Sequence, residues 1–328
     1  MASTSRTGMA AVVYNPIKVE LDKLREAVEA GEKDAGFQPT TWFASAEEDF
    51  GREATRAAIA AGAAVVLAAG GDGTVRAVAE TLRGSGIPMA VLPSGTGNLL
   101  ARNLDLDLQL EESIRIAFTG VVRKIDLGIA EIVRENGDTE EHAFLVMAGI
   151  GLDAKMIAKT SSKLKKHVGW LAYIDGTMRA LPEVGPLKLR YRINGGPTRP
   201  LTAHTMIIGN CGALPGGILL MPEAEPDDGI LDIAALRPRG PFGWLRVWQK
   251  IGWENGVLRK SAAGRKIIGL TKDVRDVAYF QARKLELELD AAQEFQLDGD
   301  EFGKVASVVC AADPGALGVM VASLEDKT

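Results

Sequence analysis

The first third of the chain alternates short apolar runs with longer segments whose apolar residues recur at helical spacing. Met9 to Tyr14, Gln38 to Phe43, Ala63 to Ala69 and Ile87 to Leu92 have the length and character of strands. Lys18 to Gly36 carries Leu21, Leu24 and Val28 on one stripe and reads as an amphipathic helix. Glu53 to Ala61, Val75 to Arg83, Leu99 to Asn103 and Leu110 to Phe118 read as further helices. Such alternation predicts a mostly parallel sheet covered by helices. Near Arg123 the pattern changes. Ile125 to Val133, Ala143 to Ala148, Leu187 to Ile193, Leu201 to Gly209, Ile230 to Leu236, Val274 to Phe280, Leu285 to Leu289 and Glu294 to Leu297 are strand-like. Short turns such as Asn194-Gly195-Gly196 join several of them, which predicts an antiparallel region. Helical insertions are expected near 154–181 and 241–260. The last apolar run, Val305 to Ala311, and the tail to Ser323 are expected to return to the first region. The predicted class is α/β plus β: an α/β domain over 1–123, completed by 305–328, and a β-rich domain over 124–304.

Two strand-to-helix junctions are built from glycine. Gly70-Gly71-Asp72-Gly73-Thr74 follows the third strand, and Pro93-Ser94-Gly95-Thr96-Gly97-Asn98 follows the fourth. Glycine lets backbone approach a ligand closely, and a helix N-terminus offers unpaired N–H groups, so phosphate is the expected guest. Ligands of parallel sheets sit beyond the carboxyl ends of the strands, where Asn15, Thr41, Asp72 and Thr96 are expected to fall. A single Gly-Gly-Asp-Gly-Thr could be no more than a tight turn with a capping Asp. Two such junctions in succession are a stronger signal. No Gly-x-x-x-x-Gly-Lys-Ser/Thr is present, so this is not a P-loop.

Composition narrows the classes. The 328 residues suggest about two domains, and 46% hydrophobic with 25% charged residues can bury a large core without metal or disulfide. Cys211 and Cys310 fit no zinc or redox spacing and are expected as free buried thiols. His142, His167 and His204 are scattered, which supports no histidine-based site. No export signal or membrane-spanning run is recognised, so a cytoplasmic protein is expected. The net charge of −5 argues against general nucleic-acid binding. Gly149-Ile150-Gly151-Leu152-Asp153-Ala154 imitates a dinucleotide fingerprint, but lies in the antiparallel region with no βαβ unit to hold it.

The two glycine junctions together resemble the catalytic domain of the diacylglycerol kinase, sphingosine kinase and ceramide kinase family, and most of all its soluble bacterial lipid kinases. NAD kinases and phosphofructokinases share the first junction more distantly. Asn15-Pro16, Thr41-Trp42, Pro222, Ala224, Asp227 to Asp232 and Leu297-Asp298-Gly299-Asp300 match further motifs of the family, so the likeness covers nearly the whole chain. The resemblance implies an N-terminal nucleotide-binding domain and a C-terminal antiparallel β-sandwich that accepts lipid. It implies ATP held by Asn15, Pro16, Thr41, Gly70, Gly71, Asp72, Gly73, Thr74, Ser94, Gly95, Thr96 and Asn98. Asp72 would bind the Mg²⁺ carried by ATP or act on the acceptor hydroxyl. Asp298 or Asp300 would take the proton from the lipid alcohol. The family usually has Glu where this chain has Asp300, which leaves both acids open. Without the resemblance, Asp298-Gly299 would read as a hairpin turn. A structural Mg²⁺ is implied at Asp228 with the carbonyls of Glu225 and Ile230. The Gly149 to Ala154 stretch would be a loop on the lipid side.

The implied reaction moves the γ-phosphate of ATP to a lipid hydroxyl, diacylglycerol first, with a sphingosine- or ceramide-type acceptor as the alternative. An NAD kinase is disfavoured by Ser94 to Asn98, where those enzymes usually carry an Asn-Glu pair. A non-catalytic nucleotide- or lipid-sensing module is disfavoured by the presence of Asp72, Asp298 and Asp300. Residues 155–166 hold five Lys and no acid; residues 237–266 hold eight Lys or Arg against Glu254, with Trp244, Trp248 and Trp253. Such composition suits peripheral contact with an anionic membrane, or equally a core helix with a solvated basic face. A homodimer is the commonest assembly, but nothing in the sequence signals one.

Overall fold

The computed structural model describes residues 8–151, 186–214, 218–237, 273–274 and 276–323. The chain divides into two compact units, Met1–Leu127 with Pro314–Thr328, and Gly128–Asp313.

In the first unit β1 (Met9–Tyr14), β2 (Gln38–Ala44), β3 (Val65–Gly70) and β4 (Met89–Pro93) form a parallel sheet ordered β2-β1-β3-β4. β3 is buried along its whole length, which is why its sequence is a continuous apolar run rather than an alternating one. The helices are α1 (Leu21–Ala35), α2 (Arg52–Ala60), α3 (Asp72–Leu82), α4 (Leu99–Asn103) and α5 (Leu110–Thr119). Leu24 and Val28 of α1 pack with Val12, Leu67, Ile114 and Phe118 in one core, as their helical spacing predicts. Two helix starts differ from expectation. α1 begins at Leu21 rather than Lys18 because Asn15 folds the intervening residues into a turn: its Oδ1 accepts the Ile17 N–H at 2.9 Å. α3 begins at Asp72 rather than Val75, so the first junction is shorter than it reads. Its only extended residue before the helix is Gly71, at φ −84° and ψ −178°.

The second unit is antiparallel. Its strands are β5 (Val121–Val133, begun in the first unit), β6 (Thr139–Phe144), β7 (Met147–Ile150), β8 (Leu187–Ile193), β9 (Arg199–Ala203), β10 (Thr205–Gly209), β11 (Ala213–Leu214), β12 (Ile218–Leu219), β13 (Leu231–Leu236), β14 (Asp273–Val274), β15 (Val277–Ala282), β16 (Lys284–Leu297) and β17 (Asp300–Val321). β7 lies between β10 and β16, and β16 also pairs with β8 and β17. Phe144, Ile150, Met206, Leu285, Phe295 and Val308 share the core. The far end of β17 belongs to the first unit, where Val319 pairs in parallel with Met89.

Several runs read from the sequence are divided or joined differently, and Val274 to Phe280 is likewise split between β14 and β15. Ala143 to Ala148 is two strands, broken at Leu145 and Val146. Leu201 to Gly209 is broken at His204, whose N–H turns to the Leu236 carbonyl at 2.8 Å. Leu285 to Leu289 and Glu294 to Leu297 are one strand whose pairing with β17 shifts register between Glu288 and Gln293. Such a bulge explains the lapse in alternation. Gly149 and Ile150 are strand residues of β7 and not part of a loop. Cys211 and Cys310 are buried thiols outside any disulfide, and burial pushes the Cys310 thiol up to about 12.

Candidate active site

The two glycine junctions meet in the first unit. β3 and β4 are neighbours, and Gly70 pairs with Pro93 at their carboxyl ends. The Ser94 N–H then reaches the Gly70 carbonyl at 3.3 Å. Asp72, the first residue of α3, accepts the N–H of Leu99, the first residue of α4, at 2.6 Å. One carboxylate thus ties the start of one helix to the start of the next. The glycines of the second junction are required by this contact. A Cβ on Gly97 would stand 2.5 Å from Asp72 Oδ2, and one on Gly95 would stand 2.9 Å from the Gly71 Cα. Asn98 holds the junction's shape: it adopts φ 46°, and its Oδ1 accepts the Gly95 N–H at 3.0 Å. A Cβ on Gly71 would meet nothing within 4 Å, so this edge is open to a guest. α3 starts with no side-chain cap, and its dipole end suits an anion.

Asn15 follows β1, and its N–H bonds the Ala69 carbonyl at 2.9 Å, which sets it beside the end of β3. Thr41 departs from expectation. It lies within β2 opposite Ala11, not at the strand's carboxyl end, and its hydroxyl points back to the Ala10 carbonyl at 3.4 Å. β2 runs on to Ala44 because Trp42 and Phe43 continue its pairing with β1.

In the second unit Asp298 and Gly299 form the two-residue turn between β16 and β17, closed by the Leu297–Asp300 pair. Both have positive φ, 49° and 91°, the backbone of a tight hairpin. Asp298 is nonetheless 5% exposed. Its Oδ2 accepts the Leu145 N–H at 2.8 Å, and its Oδ1 accepts those of Val146 and Met147 at 2.8 and 3.0 Å. The first two donors are the break between β6 and β7, and the third opens β7. Their carbonyls are held too: Asn210 Nδ2 donates to Leu145 O at 3.0 Å, and the Asn210 and Cys211 N–H groups donate to Val146 O at 2.9 and 3.1 Å. Asp300 is half-buried at the start of β17.

Glu225 and Asp228 are exposed on a turn, and Asp228 Oδ1 accepts the Ile230 N–H at 2.9 Å. Among the described residues no group of three or more His, Cys, Asp or Glu side chains could hold a metal. An ion here would need backbone carbonyl and water oxygens. That donor set, one carboxylate with neutral oxygens, fits the habit of Mg²⁺. The basic segment from Lys155 to Lys166, and Trp244, Trp248 and Trp253, lie outside the described residues. No helix of the described residues is long and apolar enough to cross a membrane. Sequence reasoning missed Gly97 and Asn210. Gly97 was legible as the second glycine of its junction; Asn210 carries no local signal, because its partner is 65 residues away.

Comparison with known proteins agrees with this two-part construction. A family described as the diacylglycerol kinase catalytic domain matches residues 9–130, and one described as the YegS C-terminal NAD kinase beta sandwich-like domain matches residues 146–321. A Pseudomonas aeruginosa protein named "probable lipid kinase YegS-like" is 32% identical over 91% of this chain and 89% of its own length. A Mycobacterium tuberculosis diacylglycerol kinase is 30% identical over 61% of this chain and 63% of its own. The crystal structure of a diacylglycerol kinase from Bacillus anthracis shares the fold, with a TM-score of 0.62 over 96% of both chains at 20% identity. The two glycine junctions and the antiparallel second unit are therefore those of a kinase. More narrowly, the chain belongs to the YegS-like lipid kinase family.

Proposed function

We propose that this kinase transfers the γ-phosphate of ATP to the hydroxyl of diacylglycerol, giving phosphatidic acid and ADP. The observation that carries the reading is the tie from Asp72 to the Leu99 N–H, which joins two helix starts and two glycine edges at the ends of neighbouring strands. Backbone donors of Gly71 to Thr74 and of Thr96 would orient the triphosphate, with Ser94 and Gly95 shaping the edge, their own N–H groups being held by the Gly70 carbonyl and Asn98 Oδ1. Asn15, Pro16 and Asn98 would shape its surroundings, and Thr41 would contribute from within β2. Mg²⁺ bound with ATP would neutralise the charge that spreads over the transferred group's oxygens. The chain's own residues do the rest. Asp72 holds the cradle together beside that charge. The hairpin of Asp298 to Asp300 supplies the carboxylate that takes the alcohol's proton. The lipid oxygen bonds to phosphorus as the bridging oxygen leaves with ADP, so atoms and charge balance.

Diacylglycerol is preferred because a relative named as a diacylglycerol kinase is 30% identical over 61% of this chain. The Glu225 to Ile230 turn is offered as a structural Mg²⁺ site. The Lys155 to Lys166 and Trp244 to Trp253 segments are offered as contacts with an anionic membrane, on their composition. ATP consumption measured with diacylglycerol, sphingosine, ceramide and NAD tests the reading. Turnover with diacylglycerol above the others is expected. Turnover with none of the lipids would overturn it, and turnover with NAD alone would replace it.

A further inference from the structure

We infer that Asn210 is a positioning residue: its side-chain amide, bonded to Leu145, sets where the Asp298 to Asp300 hairpin stands. This rests on the kinase reading above, in which that hairpin supplies a carboxylate, and it holds whichever acid takes the proton. β7 lies between β10 and β16, and each neighbour sends one residue across the strand break that precedes β7. From the end of β16 comes Asp298, whose carboxylate accepts the Leu145 and Val146 N–H groups. From the end of β10 comes Asn210, whose Nδ2 donates to the Leu145 carbonyl at 3.0 Å. The Val146 carbonyl accepts the Asn210 and Cys211 N–H groups at 2.9 and 3.1 Å. Leu145, Val146 and Asn210 are all buried, so solvent does not replace a bond lost here.

The peptide unit between Leu145 and Val146 is therefore gripped at both ends. Asn210 holds its carbonyl, and Asp298 Oδ1 holds its N–H at 2.8 Å. A peptide unit is planar and tilts as one body. Freeing the carbonyl loosens the N–H that Asp298 grips, and with it the hairpin tip. That tip is bound to the same stretch by its own amide, since the Asp298 N–H donates to the Met147 carbonyl at 2.9 Å. Asn210 is itself well anchored. Gly209 before it pairs with Met147 on one side and with Asp232 on the other. A Cβ on Gly209 would stand 2.2 Å from the Met221 Cε, and one on Gly212 would stand 2.1 Å from the Met221 carbonyl oxygen. Gly212 O also accepts the Leu220 N–H at 2.9 Å. The turn that carries Asn210 is thus pressed between β7 and Leu220-Met221, and it offers the hairpin a fixed reference.

The test compares Asn210→Ala and Asn210→Asp with Thr205→Val in the full chain, using diacylglycerol and Mg-ATP. Thr205 is the control, because its Oγ1 donates to the Ile150 carbonyl at 2.9 Å, a buried bond of the same kind at the other end of β7. Both Asn210 variants are expected to lower kcat by about 10- to 10²-fold, as a small misplacement of a reacting group does, with the KM for ATP unchanged. They should also speed hydrogen exchange at the Asp298 N–H, which Asn210 does not touch. Asn210→Asp keeps the side chain's shape but offers no donor, so it should not rescue Asn210→Ala. The kcat losses of Asn210→Ala and Asp298→Asn should fail to multiply in the double variant, because both act through one peptide. Thr205→Val should lower the unfolding temperature and keep kcat. Near-native kcat in either Asn210 variant, losses that multiply, or an equal kcat loss in Thr205→Val would overturn the inference. So would failure of both Asn210 variants to fold where Thr205→Val folds, since the bond would then be structural only. A wild-type chain inactive on every lipid alcohol would instead overturn the kinase reading, and exchange at the Asp298 N–H would still decide whether Asn210 sets the hairpin.

Discussion

Asp72 and Asp298 are both carboxylates that follow a strand and accept backbone N–H groups, but they do so in opposite settings. Asp72 sits half-exposed at a helix start and accepts the Leu99 amide, beside a Gly71 edge that no described residue fills. Asp298 sits buried in a hairpin and accepts three amides. The lesson is one of capacity. A carboxylate whose oxygens are committed to buried donors contributes rigidity, because any change of its charge breaks those bonds. A half-exposed carboxylate at an open helix end can still respond to a charged guest.

The largest effect that would separate the two lies in stability. Asp298→Ala should cost about 3 kcal/mol or more in urea unfolding, since two buried N–H groups and one half-buried one lose their acceptor at roughly 1–3 kcal/mol each. Asp72→Ala should cost only about 1 kcal/mol, the value of a helix cap. Equal costs would dissolve the contrast. Next comes activity: Asp72→Asn keeps an acceptor for Leu99 but loses the charge, and should lower kcat by about 10²-fold in a coupled ATP assay. A smaller effect tests the fit between the junctions. Gly97→Ala puts a methyl against Asp72 Oδ2 and should cost about 1–3 kcal/mol in urea unfolding, the usual toll of overpacking. It should also abolish the thermal shift given by Mg-ATP.

The smallest effect lies away from both acids. Glu140 is held below the usual carboxylate range first by its hydrogen bond from Arg134, then by that from His142. A depressed carboxyl contributes stability above its ordinary value of 4.5, and loses it as pH falls through the lower native value. Urea midpoints should therefore decline below that pH, and Glu140→Gln should flatten this part of the decline. Glu140 is exposed and Arg134 half-buried, so solvent screens the pair and the change should be no more than about 0.5 kcal/mol.

Much of the first unit was legible in the chain. The strands and helices there are local events, dictated by apolar periodicity, by Asn15-Pro16 and by glycine at two junctions, and most bounds shift by only a few residues. Thr41 shows where local reading ends, since a strand's last residue is set by its partner: β2 continues to Ala44 because β1 offers register to Tyr14. The second unit was legible as antiparallel strands but not in its breaks. Ala143 to Ala148 is apolar throughout, and nothing within it says that Leu145 and Val146 leave the ladder.

By itself, then, the sequence determined the order of elements, the class of fold, the family and the glycine edges, because each is written in residues close along the chain. Only the tertiary structure decided which acid is bound to what. The amide that Asp72 holds lies 27 residues ahead, and those that Asp298 holds lie 151 to 153 residues behind. Hydrogen bonds over such separations depend on how sheets register and pack, and no periodicity along the chain encodes them.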